Sequence, residues 1–177
     1  MEVVLVGLLG TAAALLGVAA RRLWRDRMTG SAFPMTAEDR LWLGRALVGE
    51  TGGTDRRAAA AVAWAMANRY RQKAARAGWR SFTAMLRMYC QPINPKWESL
   101  ESEGCRRNPA ACTPAKLARR ASIRGLAWEQ LPAVTQQAVT DLADGRLENP
   151  VGDRNTFLAY AFTGADLQIG GNWFGRD

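Results

Sequence analysis

Residues 47–53 read LVGETGG, and residues 58–70 read AAAAVAWAMANRY. The first stretch ends an apolar helical run on one carboxylate and a pair of glycines. The second is so rich in alanine that neighbouring backbones can approach it closely. Upstream, Thr36 has N-cap character with Asp39 three residues on, an imperfect capping box, and the pattern predicts a helix over 37–49. Leu43, Ala46, Leu47 and Glu50 recur at i, i+3, i+4 and i+7, which puts the carboxylate on the core-facing side of the last turn. Gly52 and Gly53 stop that helix. A second helix is predicted over 56–77, punctuated by Gly78.

Farther along, a short helix fits SFTAMLRMY at 81–89, capped by Ser81. The segment CQPINPKW at 90–97 holds two prolines in four residues and reads as a rigid loop rather than an element. Thr113-Pro114 opens a basic helix through about Gly125, and 132–143 reads as another, ended by Gly145. NTFLAYAF at 155–162 is a candidate strand, and QIGGNWFGRD closes the chain. There is no internal repeat and no low-complexity tract. The expected architecture is mainly α, one helical domain over 37–177 with a small β or loop segment near its C-terminus.

The first 28 residues differ from this body. Eighteen uncharged, mostly apolar residues run from Val3 to Ala20, at the short end of a membrane span. Met1-Glu2 offers no positive n-region for a secretory signal, and VAA before Arg21 is a weak cleavage site. Gly7, Gly10, Ala13, Ala14 and Gly17 give a small-residue face suited to close helix packing in lipid or in an assembly. Residues 1–28 are therefore expected to form an anchor or transmembrane helix with a basic flank, and 29–36 a linker. Arg21, Arg22, Arg25 and Arg27 follow the apolar run, so the positive-inside rule holds the body of the protein in the cytoplasm.

The chain has 177 residues, 48% hydrophobic content, a formal charge of +8 and no histidine. A chain of this length buries roughly two-thirds of its unfolded surface, enough for a core without metal. Lacking histidine, it excludes Ser-His-Asp and Cys-His machinery and the commonest zinc ligand. Three cysteines without a CxxC leave no metal site, and no cofactor is expected. Hydrolytic chemistry here must run on carboxylates, hydroxyls or amines. The positive charge suits nucleic acid, anionic lipid or a carboxylate-bearing wall. No block interleaves aromatic and basic residues as a nucleic-acid platform does. Cys105 and Cys112 flank RRNPAA and can close a small loop in an oxidising compartment, leaving Cys90 over; three reduced thiols are the other reading.

At the C-terminal end of a helix the macrodipole disfavours an anion by a few tenths of a kcal/mol. Partial burial adds desolvation, and both effects raise the carboxyl pKa of Glu50. A raised value suits a general acid, which must hold its proton until the leaving group departs. A surface glutamate near a helix end is the plainer alternative. The run RALVGETGG…AAAAVAWAMANRY resembles the opening motif of cell-wall hydrolases of the spore-cortex-lytic type, and QIGGNWF resembles their closing segment. YCQPINPKW and CTPAKLARR are similar to versions found in phage and prophage wall-degrading proteins. The resemblance covers about 37–175. Cys90 stands where that pattern has a serine.

The resemblance implies a lysozyme-like fold, peptidoglycan glycan strands as partner and substrate, and Glu50 as the catalytic acid. A hydrolase of this kind needs a second carboxylate, for which Asp55, Glu98, Glu101 and Asp153 are the candidates, none in a recognisable partner motif. A lytic transglycosylase needs one, and that is the route expected, with a muramidase as the alternative. Directed hydrogen bonds and ring stacking suit a glycan, which makes Tyr89, Gln91, Asn94, Trp97, Asn155 and Asn172 the candidate substrate-binding residues. Asn68 can equally bond a helix end. Two other readings remain open: a non-enzymatic, membrane-anchored structural protein of a virion or envelope, and a nucleic-acid binder using Arg119, Arg120 and Arg124 on one helix. A wall-degrading domain must act in the periplasm, against the positive-inside arginines. Export, cytoplasmic retention until lysis, or packaging in a particle would each reconcile the two.

Overall fold

Thr36 begins the folded body. In the computed structural model, which describes residues 32–177, its hydroxyl accepts from the Asp39 N–H, while Asp39 Oδ2 accepts from the Thr36 N–H. This complete capping box opens α1, Ala37–Thr51. The expected anchor over 1–28 and the first part of the linker lie outside the described residues. Among the described residues no helix is long and apolar enough to cross a membrane.

Asp39 does more than cap. Its second oxygen, Oδ1, accepts from the backbone N–H of Thr83 at 2.9 Å and from the Thr83 hydroxyl at 2.8 Å. Thr83 lies in the first turn of α3, Phe82–Tyr89, so one buried carboxylate fastens the starts of two helices. Burial alone would raise this carboxyl, but the bonds from Thr36 and Thr83 outweigh it and hold the group below the usual carboxylate value.

Between them runs α2, Arg56–Ala77, with Asp55 as N-cap accepting from the N–H groups of Arg57 and Ala58. Every residue from Ala58 to Asn68 is buried. A helix apolar on all sides must be surrounded, and this one packs against α1, α3, the strands β1, Thr156–Leu158, and β2, Ala165–Ile169, and α6, Ala133–Ala143. Alanine makes the crowding possible. Trp64 is the large exception, and its indole N–H donates to the Leu147 carbonyl at 3.1 Å.

The segment expected as a plain loop is two single 3-10 turns, Gln91–Ile93 and Pro95–Trp97. Proline fixes φ near the value that a 3-10 turn shares with a helix, so the rigidity was legible and its form was not. Beyond it lie α4, Glu103–Arg107, a further 3-10 turn Pro109–Ala111, and α5, Pro114–Gly125, capped by Thr113. A disulfide joins Cys105 and Cys112 across this bend. A last 3-10 turn, Trp128–Gln130, precedes α6.

The C-terminal segment forms a three-stranded antiparallel sheet in the order β1, β3, β2. Its strands are Thr156–Leu158, Ala165–Ile169 and Asn172–Gly175. The expected strand over 155–162 supplies only β1 and then turns away. Gly170 and Gly171, with φ of 55° and 83°, make the two-residue turn between Ile169 and Asn172. Positive φ at both centres is what a tight hairpin of this hand requires. Phe157, Ile169 and Phe174 face the core. The fold is mainly helical, with this small sheet at its C-terminal end.

Asp39 yields a test of the packing. A group whose folded value is depressed contributes stability above its unfolded value and loses it as pH falls through the folded one. Asp39→Asn should therefore be less stable than wild type at pH 7 by roughly 2–3 kcal/mol. The gap should close well below pH 3.8, the ordinary value for this carboxyl. Urea melts at pH 7 and pH 2.5 measure it, and a gap of equal size at both would refute the role given to the charge.

Candidate active site

Glu50 sits in the last turn of α1, and its neighbours in sequence explain how it is held. A side chain at Gly49 would place its Cβ 2.3 Å from the Pro92 Cβ, so the 91–97 segment lies directly on the helix there. Thr51 Oγ1 donates to the Leu47 carbonyl at 2.7 Å. Gly52, at φ 74°, caps the helix by donating its N–H to Val48. The glutamate is therefore fixed at a helix end beneath a rigid proline-bearing segment.

Its side chain keeps a narrow opening to solvent while protein fills most of the space around it. No described residue donates a hydrogen bond to its carboxylate or pairs with it as an ion. Desolvation therefore acts unopposed and pushes the carboxyl up to about 7. Behind it lies Cys90, a fully buried free thiol 3.6 Å from the Met66 sulfur. Burial, and next the charge of Glu50, push that thiol well above its usual value. It stays neutral and does not reach the cleft.

Glu50 opens into a cleft of about 530 Å³. One wall is the end of α3 and the two 3-10 turns, with Met88, Tyr89, Gln91, Asn94 and Trp97. The other is β1 and the residues after it, Phe157 to Tyr160, and Asn108 closes one end. Among the described residues Glu50 is the only carboxylate that lines the cleft.

The six expected binding residues divide. Tyr89, Gln91, Asn94 and Trp97 line the cleft with Glu50. The Tyr89 ring lies 3.9 Å from the Arg69 guanidinium and edge-on to Phe157, and its hydroxyl bonds to Thr156 and the Phe157 backbone. Burial nevertheless raises that hydroxyl above its usual value. Trp97 is held from behind by Gly104, where a Cβ would come within 2.7 Å of the indole, and by the Arg120 guanidinium. Asn94 is committed to the scaffold: its Nδ2 donates to the Met88 carbonyl and its Oδ1 accepts from the Lys96 N–H. Gln91 is exposed, and its amide has no partner among the described residues.

Asn155 and Asn172 are not in the cleft. Asn155 is 3% exposed, donates to Gln72 and accepts from the Asp177 N–H. Asn172 is buried at the start of β3, opposite Ile169. Asn155 is spent on the scaffold and Asn172 is buried at a strand end, and a sequence pattern cannot tell either from a sugar-binding amide. Asn68 also serves the scaffold, donating to the carbonyls of Gly152 and Arg154.

The four candidate second carboxylates lie elsewhere. Asp55 caps α2, Glu98 is 3.9 Å from Arg124, and Asp153 pairs with Arg176. Glu101 is exposed. Sequence reasoning missed Met88, Asn108 and the stretch Phe157 to Tyr160. Met88 and Tyr160, 65% and 66% exposed, are large apolar side chains left open to solvent. An apolar residue exposed on a cleft wall is a stronger mark of binding than a polar one. Only the aromatic cluster in NTFLAYAF hinted at it.

Comparisons with family models, with curated proteins and with solved structures find no match to this chain.

The unopposed burial of Glu50 has a sign. With the folded carboxyl raised to about 7 from 4.5, the group costs nothing below the unfolded value and costs stability increasingly as pH rises through the interval. Glu50→Gln should match wild type near pH 4 and exceed it by roughly 2–3 kcal/mol at pH 8.5. Parallel stability curves for the two proteins across that range would contradict the raised value.

Proposed function

We propose that this protein is a peptidoglycan lytic transglycosylase on a lysozyme-like helical domain, with Glu50 as its single acid and base. The observation that carries the reading is a carboxyl held near 7 in a cleft lined by aromatic and amide groups and, among the described residues, by no other carboxylate.

At neutral pH a large fraction of Glu50 keeps its proton, as a general acid requires. It protonates the oxygen between the muramic residue and the next sugar, and the bond from C1 to that oxygen breaks. The muramic 6-hydroxyl then attacks C1, and Glu50 takes up the hydroxyl proton. Bonds and protons balance without water, and the product is a 1,6-anhydro end. Trp97 and the exposed Tyr160 offer ring faces to the sugars, and the Gln91 amide offers free donors and an acceptor. Hydrolysis would need a second carboxylate about 5 Å or roughly 6.5–9.5 Å from the acid, and the four candidates are engaged or exposed elsewhere.

Against a nucleic-acid role stands the state of the basic helix. Arg120 is buried, donating to the carbonyls of Trp97 and Ala111, and Arg124 is largely covered near Glu98. Of the three arginines considered, Arg119 alone is exposed. A purely structural virion or envelope protein would have no use for a desolvated carboxyl in an open cleft. For access to the wall, an uncleaved apolar N-terminal segment seated in a membrane or a particle, delivered during entry, needs no export signal and would use the small residues among 7–17.

Glu50→Gln should lower cleavage of purified sacculi by roughly 10²–10⁴-fold while the protein stays folded, since the swap removes only the transferable proton. Mass analysis of wild-type products should show 1,6-anhydromuramic ends. Reducing ends as the main product would replace the transglycosylase with a muramidase, and full activity in the variant would remove Glu50 from the chemistry.

A further inference from the structure

The cleft has a neighbour. A second depression of about 420 Å³ is lined by Ala84, Arg87, Met88, Asn94, Pro95 and Lys96. Met88 and Asn94 line both spaces, so the two meet along a shared ridge. The Asn94 amide builds that ridge by bonding to the Met88 carbonyl on one side and the Lys96 N–H on the other. The annex is therefore not an independent surface feature. It is where the substrate cleft continues past the end of α3.

Its chemistry differs from that of the cleft. The glycan side presents a carboxyl, an amide and aromatic faces. The annex presents two cations, a proline ring, an alanine and the exposed Met88 side chain, with no carboxylate among its lining residues. The Arg87 guanidinium lies 4.8 Å from the Trp42 ring and has no carboxylate partner among the described residues. Lys96 has one, Glu103, at 3.1 Å and open to solvent, and Glu103 is shared with Arg107. A cation whose partner is exposed and shared can turn to a ligand at small cost. The site thus fits a short anionic group with small apolar side chains, presented from a ligand already seated in the cleft.

On the reading of the cleft as a peptidoglycan site, from which this step proceeds, that ligand carries such a group. The muramic residue bears a lactyl ether ending in a short peptide stem, with alanyl side chains and free carboxylates. We infer that the annex receives the peptide stem of the muramic residue, with Arg87 and Lys96 pairing its carboxylates and Met88 and Pro95 covering its apolar part. The enzyme then selects strands that still carry uncross-linked stems over bare glycan. Two separated contacts on one substrate add positioning that neither gives alone.

The test compares two substrates with full-length protein: glycan strands bearing stems, and the same strands stripped by an amidase. Wild type is expected to cleave stem-bearing strands with a kcat/KM roughly five- to tenfold higher, the size two partly exposed charge pairs can supply. The Arg87→Glu, Lys96→Glu double variant should lose that preference while its rate on stripped strands stays within about twofold. Arg87→Ala alone, which leaves the Lys96–Glu103 pair intact, guards against a folding defect and should lose part of the preference. As a direct readout, a free uncross-linked stem peptide should shift the Met88 methyl resonance in wild type and not in the double variant. Equal wild-type rates on both substrates, or variants that lose activity equally on both, overturn the stem site and leave the peptidoglycan reading standing. No cleavage of either substrate by wild type is the failure of that reading itself and takes the stem site with it.

Discussion

The burial of one helix on every side is the constraint from which the rest of the molecule follows. Helix α2 can be surrounded only if its side chains are small, and the alanines from Ala58 to Ala67 let α1, α3, α6 and the sheet come close to its backbone. Where the crowding ends, the helix spends polar side chains on holding what surrounds it. Asn68 gathers the chain at Gly152 and Arg154. Arg69 donates to the Asn155 carbonyl and the Thr156 hydroxyl while its guanidinium covers the Tyr89 ring. Both walls of the cleft, the end of α3 and strand β1, are thus set from the exit of one helix.

Glu50 is held by the opposite strategy. Two other buried carboxylates are satisfied: Asp39 accepts from Thr36 and Thr83, and Asp141 from Arg146 and Gln137. Glu50 is given shape and, among the described residues, no partner. Gly49 admits Pro92, Cys90 presents a neutral thiol, and the helix end offers carbonyls rather than N–H groups. The difference between a carboxylate that stabilises a fold and one that can carry a proton lies in this withholding of donors.

Much of the helical frame was legible because it is written in local chemistry. Thr36, Ser81 and Thr113 cap, Gly52 and Gly78 terminate, and each does so through bonds spanning a few residues; Asp55, expected only as a candidate second carboxylate, is a cap as well. The hairpin at Gly170-Gly171 was as local, yet its strands are too short to give an alternating pattern. What was hidden depends on distance along the chain. The bond from Asp39 to Thr83 spans 44 residues, and nothing near Asp39 announces it. Asn155 and Asn172 look like sugar ligands until the sheet that buries them is in place. Asn94 lines the cleft but with its amide already used, whereas Met88 and Tyr160 qualify only by an exposure that no sequence displays.

The pairing of Cys105 with Cys112 leaves Cys90 as the one free thiol in a chain of three cysteines. It is wholly shielded, wedged between Met66 and the back of the acid, with its ionisation suppressed. A thiol in that condition reacts only when the surrounding core parts, because the thiolate is the attacking species and no reagent reaches it otherwise. The chain thus carries its own chemical stopwatch for the opening of the site. The rate at which a small alkylating reagent consumes this sulfur, scaled by the rate for an unstructured thiol, gives the fraction of time that the floor beneath Glu50 is unlatched.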